Sequence, residues 1–165
     1  MIRTDEKTFP PEADENSRIL ILGSFPSPLS FASGFYYGHP QNRFWPMLAE
    51  ILGAAAPQTV EEKKSLLKNA HIALWDVLET CEIDGAADSS IRNPVVNPIA
   101  KLIDQTRVSM VLINGGKAFQ LFEKYCLPCA VPYYKMPSTS PANAAWRFER
   151  LKEAWQPKIS EGLKR

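Results

Sequence analysis

Eleven consecutive residues, Phe35-Tyr-Tyr-Gly-His-Pro-Gln-Asn-Arg-Phe-Trp45, bring together five aromatic rings, one His, one Asn and one Arg. Aromatic faces beside an amide and an imidazole suit a flat, hydrogen-bonding ligand better than a cluster of phosphates, for which a glycine-rich P-loop would be expected. Asn42 stands out because its side-chain amide offers a donor and an acceptor together. It could hold a water or bind a purine edge, or it could serve only as a helix cap. His39 could act as a base or touch a phosphate, or be structural beside Pro40. Phe25, Phe35, Tyr36, Tyr37 and Phe44 could stack on a base, with core packing competing for them, Phe44 first.

Other stretches carry weaker chemical signals. Gly23-Ser-Phe-Pro-Ser27 follows an apolar run, but it is not G-x-S-x-G and no paired acid and His are evident, so a serine hydrolase is not indicated. Asn114-Gly-Gly116 places backbone N–H groups at a helix start, which suits an oxyanion or phosphate as well as a plain tight turn. Pro137-Ser-Thr-Ser-Pro141 is rigid at both ends and rich in hydroxyls between, which suits gripping a DNA phosphate or simply entering a helix. Asp76 ends an apolar run at the same presumed edge and is also a common capping residue. Cys126-Leu-Pro-Cys129 is a C-x-x-C that follows a helix, and Cys81 alone does not complete a metal or iron–sulfur set, so these read as ordinary thiols. No metal and no cofactor are expected.

Composition narrows the classes. A chain of 165 residues with 45% hydrophobic content favours one domain with a real core. A net charge of +1 excludes a strongly basic coat while allowing local basic patches. No apolar run approaches a membrane span, residues 1–16 do not read as a secretory signal, and three cysteines suit a reducing compartment. The expectation is a monomer in the cytoplasm, on the nucleoid if the cell is bacterial or archaeal.

The elements that must position these residues follow from the hydrophobic pattern. Residues 1–17 read as a flexible N-terminal arm and residues 18–165 as a single domain. Continuous apolar runs predict strands at Arg18–Gly23, Ile72–Val77 and Val108–Ile113, with a fourth at Ala130–Lys135. Helices are expected at Arg43–Leu52 after Asn42, from the capping box Thr59-Val-Glu-Glu62 to about Ala70, from Asn93-Pro94 to about Gln105, at Lys117–Tyr125, and from about Ala144 to Ile159. Ser24–Gln41 and Glu82–Asn93 are expected loops. Alternating strands and helices imply an α/β fold: a mostly parallel four-stranded sheet with helices on both faces, whose strand C-termini gather Ser24–Asn42, Asp76, Asn114–Gly116 and Pro137–Asn143 at one edge.

These segments resemble the hypoxanthine-DNA glycosylase (DNA-deoxyinosine glycosylase) family of the uracil-DNA glycosylase superfamily. The likeness rests on Gly-Ser-Phe-Pro-Ser after a strand, then Phe-Tyr-Tyr-Gly-His-Pro-Gln-Asn-Arg-Phe-Trp. Met136-Pro-Ser-Thr-Ser-Pro-Ala-Asn143 is similar to the superfamily's second motif, and Leu74-Trp-Asp-Val77 also fits, so the resemblance spans most of residues 18–146. It implies a three-layer α/β/α sandwich with Asn42 as the catalytic residue. The base pocket would be formed by Gly23, Ser24, Phe25, Pro26 and Ser27 with Phe35, Tyr36, Tyr37, His39 and Asn114. A loop of Ser138, Thr139, Ser140, Pro141, Ala142 and Asn143 would enter the minor groove beside the flipped nucleotide. The implied substrate is double-stranded or single-stranded DNA carrying a deaminated base, and the implied reaction is hydrolysis of the N-glycosidic bond. A mismatch-type uracil or thymine glycosylase and a non-catalytic nucleic-acid-binding module are the alternatives. Ser24-Phe25 stands where strong uracil glycosylases carry Asp or Asn, and Met136 where many have His, which predicts little uracil release. Lys117 and Lys135 lie outside the loops these motifs mark, which predicts a monofunctional enzyme.

Overall fold

The computed structural model describes residues 2–3, 7–84 and 92–164. Its elements in chain order are β1 (Ile2–Arg3), β2 (Ile19–Gly23), α1 (Pro28–Ser33), α2 (Phe44–Leu52), α3 (Val60–Ala70), β3 (Ile72–Asp76), β4 (Leu78–Asp84), β5 (Arg92–Val96), α4 (Ile99–Asp104), β6 (Met110–Asn114), α5 (Gly116–Tyr125), β7 (Tyr133–Met136) and α6 (Phe148–Lys164). The unbroken apolar runs become strands because both faces of each are covered. All five residues of β2 and of β3 are buried, and Leu20, Ile21, Val111 and Leu112 are wholly inaccessible.

These strands form a four-stranded sheet of order β3-β2-β6-β7 in which every neighbouring pair is parallel. The path from β2 to β3 moves one way across the sheet, and the path from β3 through β6 to β7 moves the other way. Right-handed crossovers then put α2 and α3 on one face and α4 and α5 on the opposite face. The last helix, α6, packs on β2 and α2 and drives Trp155 and Ile159 into the core. The expected α/β/α sandwich is thus the observed one. The capping box also forms as expected: Glu62 N–H donates to Thr59 Oγ1 (3.1 Å) and Thr59 N–H to Glu62 Oε1 (3.0 Å). No helix among the described residues is long and apolar enough to cross a membrane.

Several expectations are corrected. A helix from Asn93 is replaced by β5, which pairs antiparallel with β4 in a small sheet of order β1-β4-β5, and the helix begins only at Ile99. Asn93 adopts a left-handed φ of 49°, and Pro94 is tolerated because β5 is an edge strand, while Val95 and Val96 favour extended backbone. Part of the expected loop Glu82–Asn93 is β4 and β5, and its residues 85–91 lie outside the described residues. The expected loop Ser24–Gln41 contains α1. Ser27 Oγ caps it by accepting from Ser30 N–H (3.2 Å), Pro28 enters its first turn, and Gly34 ends it at φ 81°. The fourth strand starts at Tyr133, after Pro132, which has no N–H to give the ladder, and α6 starts at Phe148.

Residues 7–17 lie against the sheet where a loose arm was expected. β3 is the sheet's outer strand, and its backbone needs partners. Glu12 supplies them: Glu12 N–H donates to Leu74 O (2.9 Å) and Leu74 N–H to Glu12 O (3.0 Å). Phe9 packs edge-on against Tyr36, and Ser17 is buried.

Candidate active site

The neighbouring strands β2 and β6 end at Gly23 and Asn114, where the chain's direction across the sheet reverses. In open α/β sheets such a switch point leaves a crevice beyond the strand ends. A cavity of about 450 Å³ fills it, walled by residues 23–27, by Tyr36, Tyr37, His39 and Asn42, and by residues 114–118 and 138–142, with Asp76 at the end of β3 and Ser30 on α1. That size suits one small planar ligand.

Of the residues singled out from the sequence, Gly23, Ser24, Phe25, Pro26, Ser27, Tyr36, Tyr37, His39, Asn42 and Asn114 all line this cavity, and so do Ser138, Thr139, Ser140, Pro141 and Ala142. Phe35 does not. It is 4% exposed, stacked on Trp45 (centroids 6.0 Å apart) within the core. Asn143 is also outside, its amide donating back to Ser138 O (3.0 Å), which closes the loop on itself. Thr139, expected at the DNA face, is wholly inaccessible, and its hydroxyl is spent inside the protein. Conversely, Lys117 does line the cavity, at the start of α5, although its segment was not marked by the motifs.

Asn42 sits just before α2. Arg43 holds the capping position by its backbone, and Asn42 Oδ1 accepts from Phe44 N–H (2.9 Å). The same oxygen accepts from Thr139 Oγ1 (2.8 Å), so the residue joins the helix start to the loop after β7. Asn114 grips Thr139 from the other side: its Nδ2 donates to Thr139 Oγ1 (3.0 Å), and its Oδ1 accepts from Thr139 N–H (3.1 Å). Arg43 was left without a role by the sequence. Its guanidinium donates to the carbonyls of Thr139 (3.3 Å), Ser140 (2.6 Å), Asn143 (3.2 Å) and Trp146, five-donor geometry suited to a loop whose carbonyls converge. The signal available was only its place beside Asn42.

The other wall is tied down by serines. Ser30 Oγ accepts from Gly38 N–H (3.1 Å) and shares a hydrogen bond with Ser27 Oγ (3.1 Å), fixing the turn that presents Tyr37 and His39. His39 Nδ1 accepts from Gln41 N–H (3.0 Å), so a neutral His39 carries its proton on Nε2. Tyr37 turns at φ 53° and stacks on Phe44 with centroids 4.2 Å apart.

The floor is Gly23. A Cβ there would stand 2.7 Å from Asp76 Oδ1 and 3.2 Å from the Tyr37 hydroxyl, so only glycine lets those two oxygens converge over the strand end. Burial, followed by the charge of Asp76, holds the Tyr37 phenol well above its usual range, so it remains a donor. Burial pushes Asp76 up to about 7, opposed by donation from Thr8 Oγ1 to Asp76 Oδ2 (2.6 Å). Asp76 was placed at this edge by the sequence but given no role. Among the described residues no group of three or more His, Cys, Asp or Glu is arranged to hold a metal ion.

The walls are thus aromatic and the polar groups few: the amide of Asn42, the carboxyl of Asp76 and the N–H groups opening α5, which have no partners within the helix, with the Tyr37 hydroxyl buried beneath them. An α/β/α sandwich with such a switch-point cavity, bordered by the Ser138–Ala142 loop, defines a class of α/β proteins that bind one small ligand beyond their strand ends. The family model of the uracil DNA glycosylase superfamily matches residues 10–157, and the chain belongs to that superfamily. It is similar to a hypoxanthine DNA glycosylase of Methanosarcina acetivorans, 34% identical over 154 residues that make up 92% of this chain and 96% of that one. A hypoxanthine DNA glycosylase of Methanosarcina barkeri is 38% identical over 112 residues, 67% of this chain and 71% of that one. A solution structure of a Methanosarcina acetivorans protein described as a candidate uracil DNA glycosylase superimposes with a TM-score of 0.84 at 32% identity, each chain wholly covered.

Proposed function

We propose that the protein is a DNA repair glycosylase that flips hypoxanthine out of double-stranded or single-stranded DNA and hydrolyses its N-glycosidic bond. The observation that carries this reading is the anchored amide of Asn42 at a cavity of about 450 Å³ with aromatic walls. The two Methanosarcina relatives named as hypoxanthine DNA glycosylases support the choice of base.

Chemistry on a base inside a duplex requires its extrusion, which costs a few kcal/mol and costs least for a poorly paired base such as hypoxanthine. Hypoxanthine's Watson–Crick edge offers the O6 acceptor beside the N1–H donor. Asp76 Oδ1, which stands over Gly23, is an acceptor suited to the N1–H donor in that order. Adenine reverses it and would leave polar groups unpaired, the strongest basis for rejection that a site can have. In the reaction water adds its oxygen to C1′. The electrons of the C1′–N9 bond leave with the purine, which ends as free hypoxanthine after protonation, and an abasic site remains. Positive charge develops on the sugar and negative charge on the base. Fixed donors around the cavity stabilise the second, and Asn42 acts at the reacting centre as the catalytic residue. Ser138, Ser140, Pro141 and Ala142 form the loop that meets the strand beside the flipped nucleotide, where the Ser138 and Ser140 hydroxyls, each accepting from a loop N–H, keep a proton to donate to phosphate. The protein acts as a monomer.

Duplexes and single strands with one deoxyinosine, deoxyuridine or deoxyxanthosine test this. Free hypoxanthine should appear fastest, with little or no uracil. Uracil released faster than hypoxanthine under the same conditions would transfer the protein to the uracil-excising reading, and binding with no base released would make it a binding module. Borohydride should trap no covalent adduct. Lys117, which lines the cavity, is the amine to replace with Ala if it does.

A further inference from the structure

Four hydrogen bonds around Thr139 have only one consistent direction. Main-chain N–H groups can only donate, so Phe44 N–H marks the atom of Asn42 it meets as the carbonyl oxygen, and Thr139 N–H does the same for Asn114. Asn42 Oδ1 must therefore receive the single hydroxyl proton of Thr139 (2.8 Å). The Thr139 oxygen, having given that proton, accepts from Asn114 Nδ2 (3.0 Å). The relay runs Asn114 to Thr139 to Asn42 and cannot be reversed without setting two donors against each other.

This order decides which end of Asn42 meets the substrate. Both hydrogen bonds made by its oxygen are internal, and the amide lines the cavity, so the end presented there is the NH2. We infer that Thr139 is a positioning residue that, with Asn114, fixes Asn42 as a hydrogen-bond donor toward the departing base. This rests on Asn42 being the catalytic residue. A donor so placed stabilises the negative charge that grows on the purine as the C1′–N9 bond breaks, and it cannot take a proton from the attacking water.

Thr139 is wholly inaccessible, so its side chain does not act through a DNA contact. The Arg43 clamp uses its carbonyl, which every side-chain variant keeps. Removing the hydroxyl therefore leaves the loop held by Arg43 and by the bond from Thr139 N–H to Asn114 Oδ1, and frees the Asn42 amide and the Asn114 NH2.

The test is single-turnover release of hypoxanthine from a deoxyinosine duplex by the full chain, beside affinity for the same duplex carrying 2′-fluoro-deoxyinosine, which resists cleavage. Thr139→Val should lower the rate by about ten- to a hundredfold, the range for losing a partner that orients a functional group, with affinity within about twofold of the parent by the same reasoning. Thr139→Ser, which restores the hydroxyl, should recover most of the rate. In an Asn42→Ala background Thr139→Val should cost little more, since the two act as one unit. A slow Asn42→Ala enzyme beside Thr139→Val at the parent rate would overturn the inference and leave Asn42 catalytic. Asn42→Ala at the parent rate would overturn the role of Asn42 itself. Should Thr139→Val not fold, Asn114→Ala makes the same test from the other end of the relay, and the parent rate there would count equally against the inference.

Discussion

The segment from Phe35 to Trp45 divides into two halves with opposite duties. Phe35 and Trp45 belong to the core, and Tyr36, which borders the cavity, is tied to them: Phe35 stacks on Trp45, and Trp45 Nε1 donates to Tyr36 O (2.9 Å). The Tyr36 hydroxyl is directed at the carbonyls of Phe9 (3.1 Å) and Pro10 (2.9 Å). Tyr37, His39 and Asn42 belong to the cavity. Tyr36 and Tyr37 are chain neighbours with the same ring and phenol, yet one staples the N-terminal segment and the other stands over Gly23 beside Asp76. The positive φ of Tyr37 is where the path turns from one duty to the other. The lesson is that residue type marks the segment as unusual, while backbone direction decides which members reach the ligand.

The sharpest way to break this comparison is to exchange stability against rate. Phe35→Ala should lower stability by about 3–5 kcal/mol, the usual cost of emptying a buried phenylalanine site. Excision by the folded fraction should stay near the parent rate. Chemical denaturation beside single-turnover excision checks both, and a large rate loss with little destabilisation would move Phe35 into the site. Asn42→Ala should do the opposite, slowing single-turnover excision by about a hundredfold or more, with a stability loss of only about 0.5–2 kcal/mol from the missing helix-start bond. A protein that melts lower and excises at the parent rate would return Asn42 to a purely structural role.

Asp76 sharpens the cavity side through pH. Burial raises its pKa from 3.8 to about 7 in the fold. Below pH 4 it is neutral both folded and unfolded. Between the two values the folded protein keeps a proton that the unfolded chain has released, so stability falls as pH rises through that window, and the penalty is complete above pH 7. Asp76→Asn should therefore gain on the parent from pH 4 to 7 and hold a constant advantage beyond. That advantage is on the order of 4 kcal/mol, each pKa unit being worth about 1.4 kcal/mol. Parallel melting curves that never diverge would show the carboxyl to be ionised and well solvated.

On the core side, Tyr36→Phe should cost about 1 kcal/mol for one lost hydrogen bond, read as a lower denaturation midpoint with unchanged excision. The smallest effect concerns the DNA surface. With a net charge of +1 the slope of log affinity on log salt should stay far shallower than about −10, the value for a strongly basic DNA binder. A steep slope would mean a concentrated basic face beside the cavity.

Local pattern was enough for the parallel sheet and for the site's neighbourhood. Apolar runs ending at Gly23, Asp76 and Asn114 must be buried strands, and alternation with helices forces their C-termini to one edge, so the loops that carry the motifs had to meet there. The start of α1 was also written locally, in Ser27-Pro28 and Gly34, but the density of turn residues around it outweighed that signal. β5 was not legible, because Asn93-Pro94 favours a helix start until an edge position beside β4 makes an extended path the better one.

What sequence alone determined, then, was which segments meet at the strand ends. What only the tertiary structure decided was how they are joined. Thr139 is spent on two asparagines 25 and 97 residues away rather than on DNA, and Arg43 gathers carbonyls from Thr139 to Trp146. Thr8 lies 68 residues from the carboxyl it holds. The reason is physical. Strand and helix periods are set by near neighbours and show in any short window. A buried hydrogen bond between distant side chains exists only after the sheet has closed and removed the water that would otherwise satisfy those groups.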